Sequence, residues 1–170
     1  MGSKRTYDRE GHAHFVTFSC DRRRRLLDHD RPKQILIEVL SSQLSKQSGQ
    51  CVGFVVMPDH VHAVVWFAEP HQLSHFMKQW KQRSSVQIKR LAHNVLSEYY
   101  KHVDLNEPFW QAGYYDFNVF TEAKIEEKLA YMHQNPVRGG LVNHSCDWPW
   151  SSARFYEQGL PVGLPIRWLE

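Results

Sequence analysis

The distribution of apolar and polar residues along the chain predicts a small sheet and several helices. Short runs rich in β-branched and aromatic residues predict strands at 14–20, 51–58 and 60–67. A Pro-Asp pair separates the last two runs, so these two strands are expected to form a hairpin. A later aromatic segment at 114–120 is compatible with either a loop or a fourth strand.

Apolar residues that recur every three or four positions predict three helices. The first helix has Pro32 in its first turn and ends by Gly49, and the second covers residues 72–91. The third helix begins after Thr121, a candidate N-cap. It is expected to end at or near Asn135, because the proline that follows disfavours helical backbone in the residue before it.

The order of these elements, β-α-β-β-α-β-α, predicts an α+β fold. We expect a ferredoxin-like antiparallel sheet with two helices on one face, which leaves the other face free to carry a site. Residues 1–144 would form this domain. Residues 145–170, rich in Pro, Gly and Trp, would form a C-terminal tail that packs on the domain or extends it.

Composition narrows the class of protein. A chain of 170 residues with 42% hydrophobic residues can build one core, and a formal charge of +3 is compatible with nucleic-acid binding without demonstrating it. The cysteines Cys20, Cys51 and Cys146 are odd in number and widely spaced, which argues against a disulfide framework or a thiolate zinc site. The N-terminus lacks an apolar signal core, and no run of about 18 apolar residues occurs. We therefore expect a soluble, cytoplasmic protein with no membrane partner.

His60 and His62 lie within the apolar run 60–67. Because side chains alternate between the two faces of a strand, both imidazoles are expected to point to the same face. Two neutral imidazoles side by side provide half of a metal site. The alternative is a half-buried pair that is satisfied by hydrogen bonds.

Tyr131 and Asn135 are four residues apart on the third predicted helix and therefore share one face. An amide oxygen is a hard ligand that suits Mg²⁺ or Mn²⁺, and a phenol can attack phosphorus once it is activated. Two other interpretations remain open at this point. Tyr131 could be a core aromatic residue, and Asn135 could cap the helix before the proline.

The His60-Val61-His62 segment resembles the His-hydrophobic-His motif of HUH nucleases. Together with the later segments "EEKLAYMHQNPVRGGLV" and "WPWSSARFY", it resembles the REP-associated tyrosine transposases, which are relatives of the IS200-like single-strand transposases. The resemblance extends from about His14 to Tyr156. It implies the HUH version of the ferredoxin-like fold, with the two histidines on a central strand and the tyrosine on a helix that faces them.

The resemblance also implies roles for individual residues. Tyr131 would be the nucleophile, and His60, His62 and Asn135 would bind a divalent metal, Mg²⁺ or Mn²⁺. Gln134 could replace Asn135 as the third ligand if the following proline distorts the end of the helix. The substrate would be a single-stranded DNA hairpin from repetitive extragenic palindromes (REP), cleaved through a covalent 5′-phosphotyrosine intermediate. The protein would act as a monomer or a homodimer, and a monomer is favoured.

Contacts to DNA are predicted at basic residues, which would give salt-sensitive binding to phosphates. The candidates are Arg22, Arg23, Arg24, Lys78, Lys81, Lys89 and Arg138. A solvated basic surface is the alternative for each of them. Four aromatic residues could either stack on unpaired bases or pack in the core: Trp110, Tyr114, Tyr115 and Phe117.

Two other functions are compatible with the same residues. A domesticated relative could bind the hairpin without cleaving it, although the presence of His60, His62 and Tyr131 argues against such decay. A zinc phosphoesterase could use the histidines without a covalent step. That function is disfavoured because Asp59 is the only carboxylate beside the histidine pair in the sequence.

Overall fold

The computed structural model describes residues 12–169, which form an antiparallel sheet of four strands in the order β2-β3-β1-β4. The strands are β1 (Ala13–Ser19), β2 (Gly49–Val56), β3 (His60–Phe67) and β4 (Tyr115–Val119). The ambiguous aromatic segment is therefore a strand that pairs with β1 at the edge of the sheet. The N-terminal stretch on which we based the absence of a signal segment, and the start of the predicted domain, lie outside the described residues.

Four α-helices accompany the sheet. They are α1 (Asp30–Lys46), α2 (Leu73–Asn94), α3 (Glu122–Arg138) and α4 (Ala153–Gln158). Helices α1 and α2 pack against each other, and α3 packs against β2 and β3. The predicted α+β, ferredoxin-like architecture is confirmed. Over residues 12–169, no helix has the length and apolar character needed to cross a membrane.

Each strand contributes side chains to both faces of the sheet, and two apolar clusters result. Val16 and Val61 belong to the larger cluster, which also contains Trp80 of α2. Phe15 and Val64 belong to the smaller cluster, which contains Met132 of α3. Because residues two apart on a strand share a face, the even-numbered positions of β3 point toward α3.

Helix α3 was predicted to end at or near Asn135, but it continues to Arg138, three residues further. Pro136 lies in the last turn of the helix and is buried. A proline there removes a single intrahelical donor, and the hydrogen bonding resumes at once, because the Gly139 N–H donates to the Asn135 carbonyl at 2.9 Å. Asn135 therefore lies inside regular helix.

The close packing of α3 on β2 depends on Gly53. A Cβ atom at this position would overlap the Leu129 side chain and come within 3.3 Å of Met132 Cε. The strand pairing is also irregular between Cys51 and Gly53. A glycine at this irregularity therefore brings α3 close enough to the sheet for its side chains to reach those of β3.

The C-terminal segment covers the free edge of β2. The Val56 N–H donates to the Trp150 carbonyl at 2.8 Å, and the Trp148 indole N–H donates to the Val56 carbonyl at 3.0 Å. Further along, the Arg167 N–H donates to the Cys51 carbonyl at 2.9 Å. The segment thus satisfies backbone groups that an edge strand would otherwise expose to pairing with another chain.

Candidate active site

Strand β3 places His60 and His62 on the face that α3 covers, with their ring centroids 4.8 Å apart. Strand register sets Thr17 opposite His62 and Ser19 opposite His60 on β1. The His60 side chain is 12% exposed and His62 is 6% exposed. The two imidazoles therefore form a mostly buried pair.

The Nδ1 atom of each imidazole lies within hydrogen-bond distance of a neighbouring side chain. His60 Nδ1 lies 2.6 Å from Asp59 Oδ1, and His62 Nδ1 lies 2.6 Å from Thr17 Oγ1. When Nδ1 carries the proton and donates, the Nε2 atom of a neutral imidazole keeps its lone pair. This is the arrangement in which a carboxylate or hydroxyl orients a metal-binding histidine.

Burial keeps both histidines in the neutral form. Together with the nearby charges of His60 and Arg23, burial lowers the pKa of His62 to about 3. Burial also lowers the pKa of His60, while the hydrogen bond to the Asp59 carboxylate opposes this effect. At neutral pH both rings are therefore uncharged, which is the form that binds a metal ion.

We expect the free energy of unfolding of the metal-free protein to decrease as the pH falls from 6.5 to 5. His133, a buried residue of α3, resembles His62 in that burial lowers its pKa, here to about 4. Both rings stay neutral in the folded state over this interval, whereas the unfolded chain binds protons near pH 6.5, so stability is lost on acidification. The loss should be about 2 kcal/mol for each of the two histidines.

Urea denaturation in EDTA at several pH values measures this loss. Replacing His62 or His133 by glutamine should each reduce the pH slope by about one proton. Replacement of His75, which is exposed on α2, serves as the control and should leave the slope unchanged. An unaltered slope in the His62 and His133 variants would contradict the assignment of these two buried neutral rings.

Helix α3 brings Tyr131 and Asn135 to the histidine pair. The Tyr131 ring centroid lies 5.6 Å from that of His62, and Asn135 Nδ2 lies 3.1 Å from His60 Nε2. Tyr131 is 48% exposed, so it is not a core aromatic residue. Asn135 is a helical residue and not the C-cap, which is Gly139. The four residues singled out in the sequence thus meet in one place.

Gln134 points away from this cluster. It lines a separate groove together with His133 of α3 and with Tyr156 and Trp168 of the C-terminal segment. The helix is not broken at the proline, so the distortion that would bring Gln134 to the histidines does not occur. Of the two amides considered, Asn135 is the one in contact with His60.

The side chains around the histidine pair could hold a divalent cation. Among residues 12–169 no group of three or more His, Cys, Asp or Glu side chains is arranged to bind a metal. A third donor would therefore come from the Asn135 amide, which carries one oxygen. Two imidazole nitrogens and an amide oxygen form a mixed set that suits Mn²⁺, and the oxygen and any bound water also suit Mg²⁺.

Two of the predicted DNA-contacting arginines lie at this cluster. Arg138 Cζ is 4.5 Å from the centroid of the Tyr131 ring, and its Nη2 donates to the Tyr131 carbonyl at 2.7 Å. Arg23 Nε donates to Asp59 Oδ2 at 3.0 Å, and Arg23 Nη2 lies 3.4 Å from His60 Nδ1. One guanidinium thus contacts Tyr131, and the other contacts His60 and its partner Asp59.

Two other predicted arginines are engaged within the protein. Arg22 and Arg24 both form ion pairs with Glu107, and the Arg24 distance is 2.8 Å. Arg24 also donates to the Pro108 carbonyl at 2.8 Å. These contacts attach the segment after β1 to the segment before β4.

The predicted lysines of α2 lie on the opposite face of the sheet from α3. Lys81 donates to the Gln111 carbonyl and Lys89 to the Glu107 carbonyl, each at 2.9 Å. Lys78 is exposed on the same helix. The structure does not bring these lysines to the histidine pair.

Sequence reasoning missed Lys128, which lies one helical turn before Tyr131. Its Nζ atom is 4.9 Å from the Phe15 ring centroid and 4.7 Å from that of Phe117. The spacing of three residues from Tyr131 was a signal that the two share a face. Thr17 was also missed, because its position opposite His62 depends on the pairing of distant strands.

Comparison with known proteins gives a family match over most of the chain. The family described as "Transposase IS200 like" matches residues 9–135. A REP-associated tyrosine transposase of Haemophilus influenzae is 22% identical over 135 residues, which cover 72% of this chain and 73% of that protein. The REP-associated tyrosine transposase of Escherichia coli K12 is 22% identical over 117 residues, 68% of this chain, and the match spans 60% of its length.

Two solved structures share the fold. A REP-associated tyrosine transposase bound to a REP hairpin superposes with a TM-score of 0.73 at 21% identity, covering 97% of this chain and 92% of that chain. A crystal structure described as a transposase of Deinococcus radiodurans gives a TM-score of 0.52 at 19% identity, covering 79% of this chain and 97% of that one. The fold that the histidine motif implied is confirmed.

Proposed function

Because the chain belongs to the IS200-like transposase family, we propose that it cleaves and rejoins single-stranded DNA at a hairpin, with Tyr131 as the nucleophile. The observation that carries this proposal is the meeting of Tyr131 and Asn135 of α3 with His60 and His62 of β3. The relative that was solved with a REP hairpin supports a hairpin of this class as the DNA partner.

The proposed reaction is a transesterification at phosphorus. The Tyr131 phenol loses its proton and its oxygen forms a bond to the scissile phosphate, while the bond from phosphorus to the 3′ oxygen breaks. The 3′ oxygen takes up a proton and leaves as a hydroxyl group, and the 5′ end remains attached to Tyr131. One phosphoester replaces another, so a different 3′-hydroxyl can reverse the step and join two strands.

The proposed cofactor is a divalent cation, Mg²⁺ or Mn²⁺, held by His60 Nε2, His62 Nε2 and the amide of Asn135. In the structure the amide nitrogen of Asn135 faces His60. Rotation of the amide by half a turn would place its oxygen there instead. Such an ion, when bound, polarises the phosphate and offsets the charge that develops on its oxygens. The chain's own residues orient the ligands: Asp59 and Thr17 hold the two Nδ1 atoms.

The surroundings of Tyr131 support the role of nucleophile. Half of the side chain is exposed, so a strand of DNA can reach its hydroxyl group. The guanidinium of Arg138 lies over the ring and carries a charge that complements a phosphate, whereas that of Arg23, beside His60, is paired with Asp59. All four central residues come from one chain, which supports activity as a monomer.

A denaturing gel with labelled DNA tests the proposal. The substrate is a single-stranded hairpin taken from the sequences that flank the gene, incubated with Mn²⁺ or with EDTA. We expect a DNA band shifted by covalently attached protein with Mn²⁺ and none with EDTA. Tight binding in a native gel without any covalent band would instead establish a hairpin-binding protein that does not cleave. The absence of both would refute the hairpin as the partner.

A further inference from the structure

Lys128 occupies an unusual position for a lysine on a surface helix. Its side chain is half-buried and its ammonium lies over two aromatic rings, Phe15 of β1 and Phe117 of β4. These two rings face each other across the β1–β4 pair. The ammonium is therefore held above the face of the sheet that carries the histidine pair, and does not extend freely into solvent.

The charge of Lys128 has no neutralising carboxylate partner among the described residues. Over residues 12–169 its ammonium has no carboxylate within ion-pair distance and no hydrogen-bond acceptor. The neighbouring carboxylate of Glu127 pairs with Lys124 at 2.9 Å. Arg24, by contrast, forms an ion pair with Glu107. A half-buried cation without a carboxylate partner can form a charge-assisted hydrogen bond with an anion that comes from outside the chain.

Phe15 connects Lys128 to the candidate active site. The His62 ring is stacked on Phe15 with centroids 5.4 Å apart, and the Tyr131 ring meets it edge-on at 6.4 Å. The Lys128 ammonium, at 4.9 Å, contacts the same ring. A single aromatic residue, Phe15, thus separates the Lys128 ammonium from both Tyr131 and His62.

The strand beside Lys128 offers a surface on which bases could lie. Tyr115 and Phe117 alternate with Asp116 and Asn118 along β4 and share the face of Phe15, and Tyr115 is 54% exposed. Among the described strands, β4 pairs only with β1 and lies at the edge of the sheet. Aromatic side chains beside a cation are the usual components of a site for single-stranded nucleic acid.

We propose that Lys128, held over Phe15 and Phe117, forms a phosphate-binding subsite that holds the backbone phosphate next to the scissile one as the single strand enters the Tyr131 site along β4. This proposal rests on the proposed function and adds the path of the strand. Lys128 is a positioning residue in this scheme: it contacts the DNA backbone and takes no part in the exchange at phosphorus.

Three variants test the subsite. Lys128→Met keeps the length of the stem over the two rings but removes the charge, and Lys128→Arg restores it. Lys124→Met is the matched control, one turn earlier on the same helix. We expect Lys128→Met to slow formation of the covalent adduct at subsaturating DNA about 10- to 100-fold, the effect of one charged hydrogen bond. Lys128→Arg should recover most of the rate, and the control should stay within about twofold of the wild type.

Single methylphosphonate replacements along the DNA identify the phosphate concerned. At one position, next to the scissile phosphate, the neutral linkage should slow adduct formation by the wild type as much as the Lys128→Met substitution does. The same linkage should have little further effect on Lys128→Met. If Lys128→Met remains as sensitive as the wild type at every position, or matches Lys124→Met in rate, the subsite is refuted. A purely structural role of Lys128 would lower the rate without removing sensitivity at one position.

Equilibrium binding separates this proposal from the proposed function. Fluorescence anisotropy of a labelled single strand needs no cleavage, and loss of one phosphate contact should reduce the salt dependence of binding by about 0.7 in the log–log slope. If the wild type forms no adduct but the salt slope of Lys128→Met is smaller than that of the wild type, the proposed chemistry is refuted and the subsite is supported. An equal slope in both proteins would refute the subsite, whatever the chemistry.

Discussion

The Tyr131→Phe protein is expected to form no covalent adduct with DNA, while its fold and its affinity for the hairpin remain those of the wild type. The substitution removes only the phenolic oxygen, which has no hydrogen-bond partner in the described part of the chain. The ring keeps its contacts with His62, Phe15 and Arg138. Since the oxygen is the proposed attacking atom, the rate of cleavage should fall by more than about 10³-fold.

The measurement combines the denaturing gel with two controls for structure. Tyr99→Phe is the matched variant, because Tyr99 is also half-exposed but lies against His29, away from the histidine pair. Both variants should show the melting temperature and the native-gel affinity of the wild type, and only Tyr131→Phe should lose the adduct. An adduct that forms at an undiminished rate in Tyr131→Phe would show that another residue is the nucleophile.

Local patterns were sufficient to predict the framework of the site. The third strand has the predicted limits, 60–67, because an uninterrupted apolar run that follows a Pro-Asp turn has few alternatives. The period of two then required both histidines to face the same way. The helical period likewise required Tyr131 and Asn135 to share a face. Neither period could predict that the histidine face of the strand meets the tyrosine face of the helix. That prediction came from the family resemblance.

Features that depend on distant residues were not predictable from local patterns. Thr17 reaches His62 only because β1 pairs with β3 in one register. The helix continues through Pro136 because that ring is buried, which outweighs the loss of one hydrogen bond near a helix end. Local propensity is a weak guide in both cases, because tertiary packing decides the outcome.

Composition likewise cannot separate free cations from paired ones. Arg22 and Arg24 stand in a conspicuous basic run, yet both pair with Glu107. Lys128 directly follows two acidic residues in the sequence, Glu126 and Glu127, and nevertheless has no ion-pair partner among the described residues, although it lies near Tyr131. The number of basic residues in a segment therefore says less about phosphate binding than the position of their carboxylate partners.

His62→Gln should strongly weaken the binding of the metal ion on which the reaction depends. Loss of an outer partner of a metal ligand typically reduces metal affinity 10- to 100-fold, so loss of the ligand itself should raise the Mn²⁺ concentration for half-maximal activity by at least about 100-fold. Glutamine retains a polar group near Thr17 in this buried position, so the fold should persist. Thr17→Val, which removes the partner of His62 Nδ1, should give a smaller shift of about 10-fold.

A readout that does not depend on activity makes this test independent of the substrate. A cation that binds the native state and not the unfolded chain raises the melting temperature, so Mn²⁺ should stabilise the wild type and fail to stabilise His62→Gln at the same concentration. The His75→Gln protein, altered at an exposed histidine of α2, should respond to Mn²⁺ as the wild type does. Equal stabilisation of all three proteins would remove His62 from the metal site. The loss of Mn²⁺ affinity should be largest for the change at His62, smaller for the change at Thr17 and absent for the change at His75. This order is expected because the three side chains differ in their distance from the proposed ion and not in the number of charges they contribute.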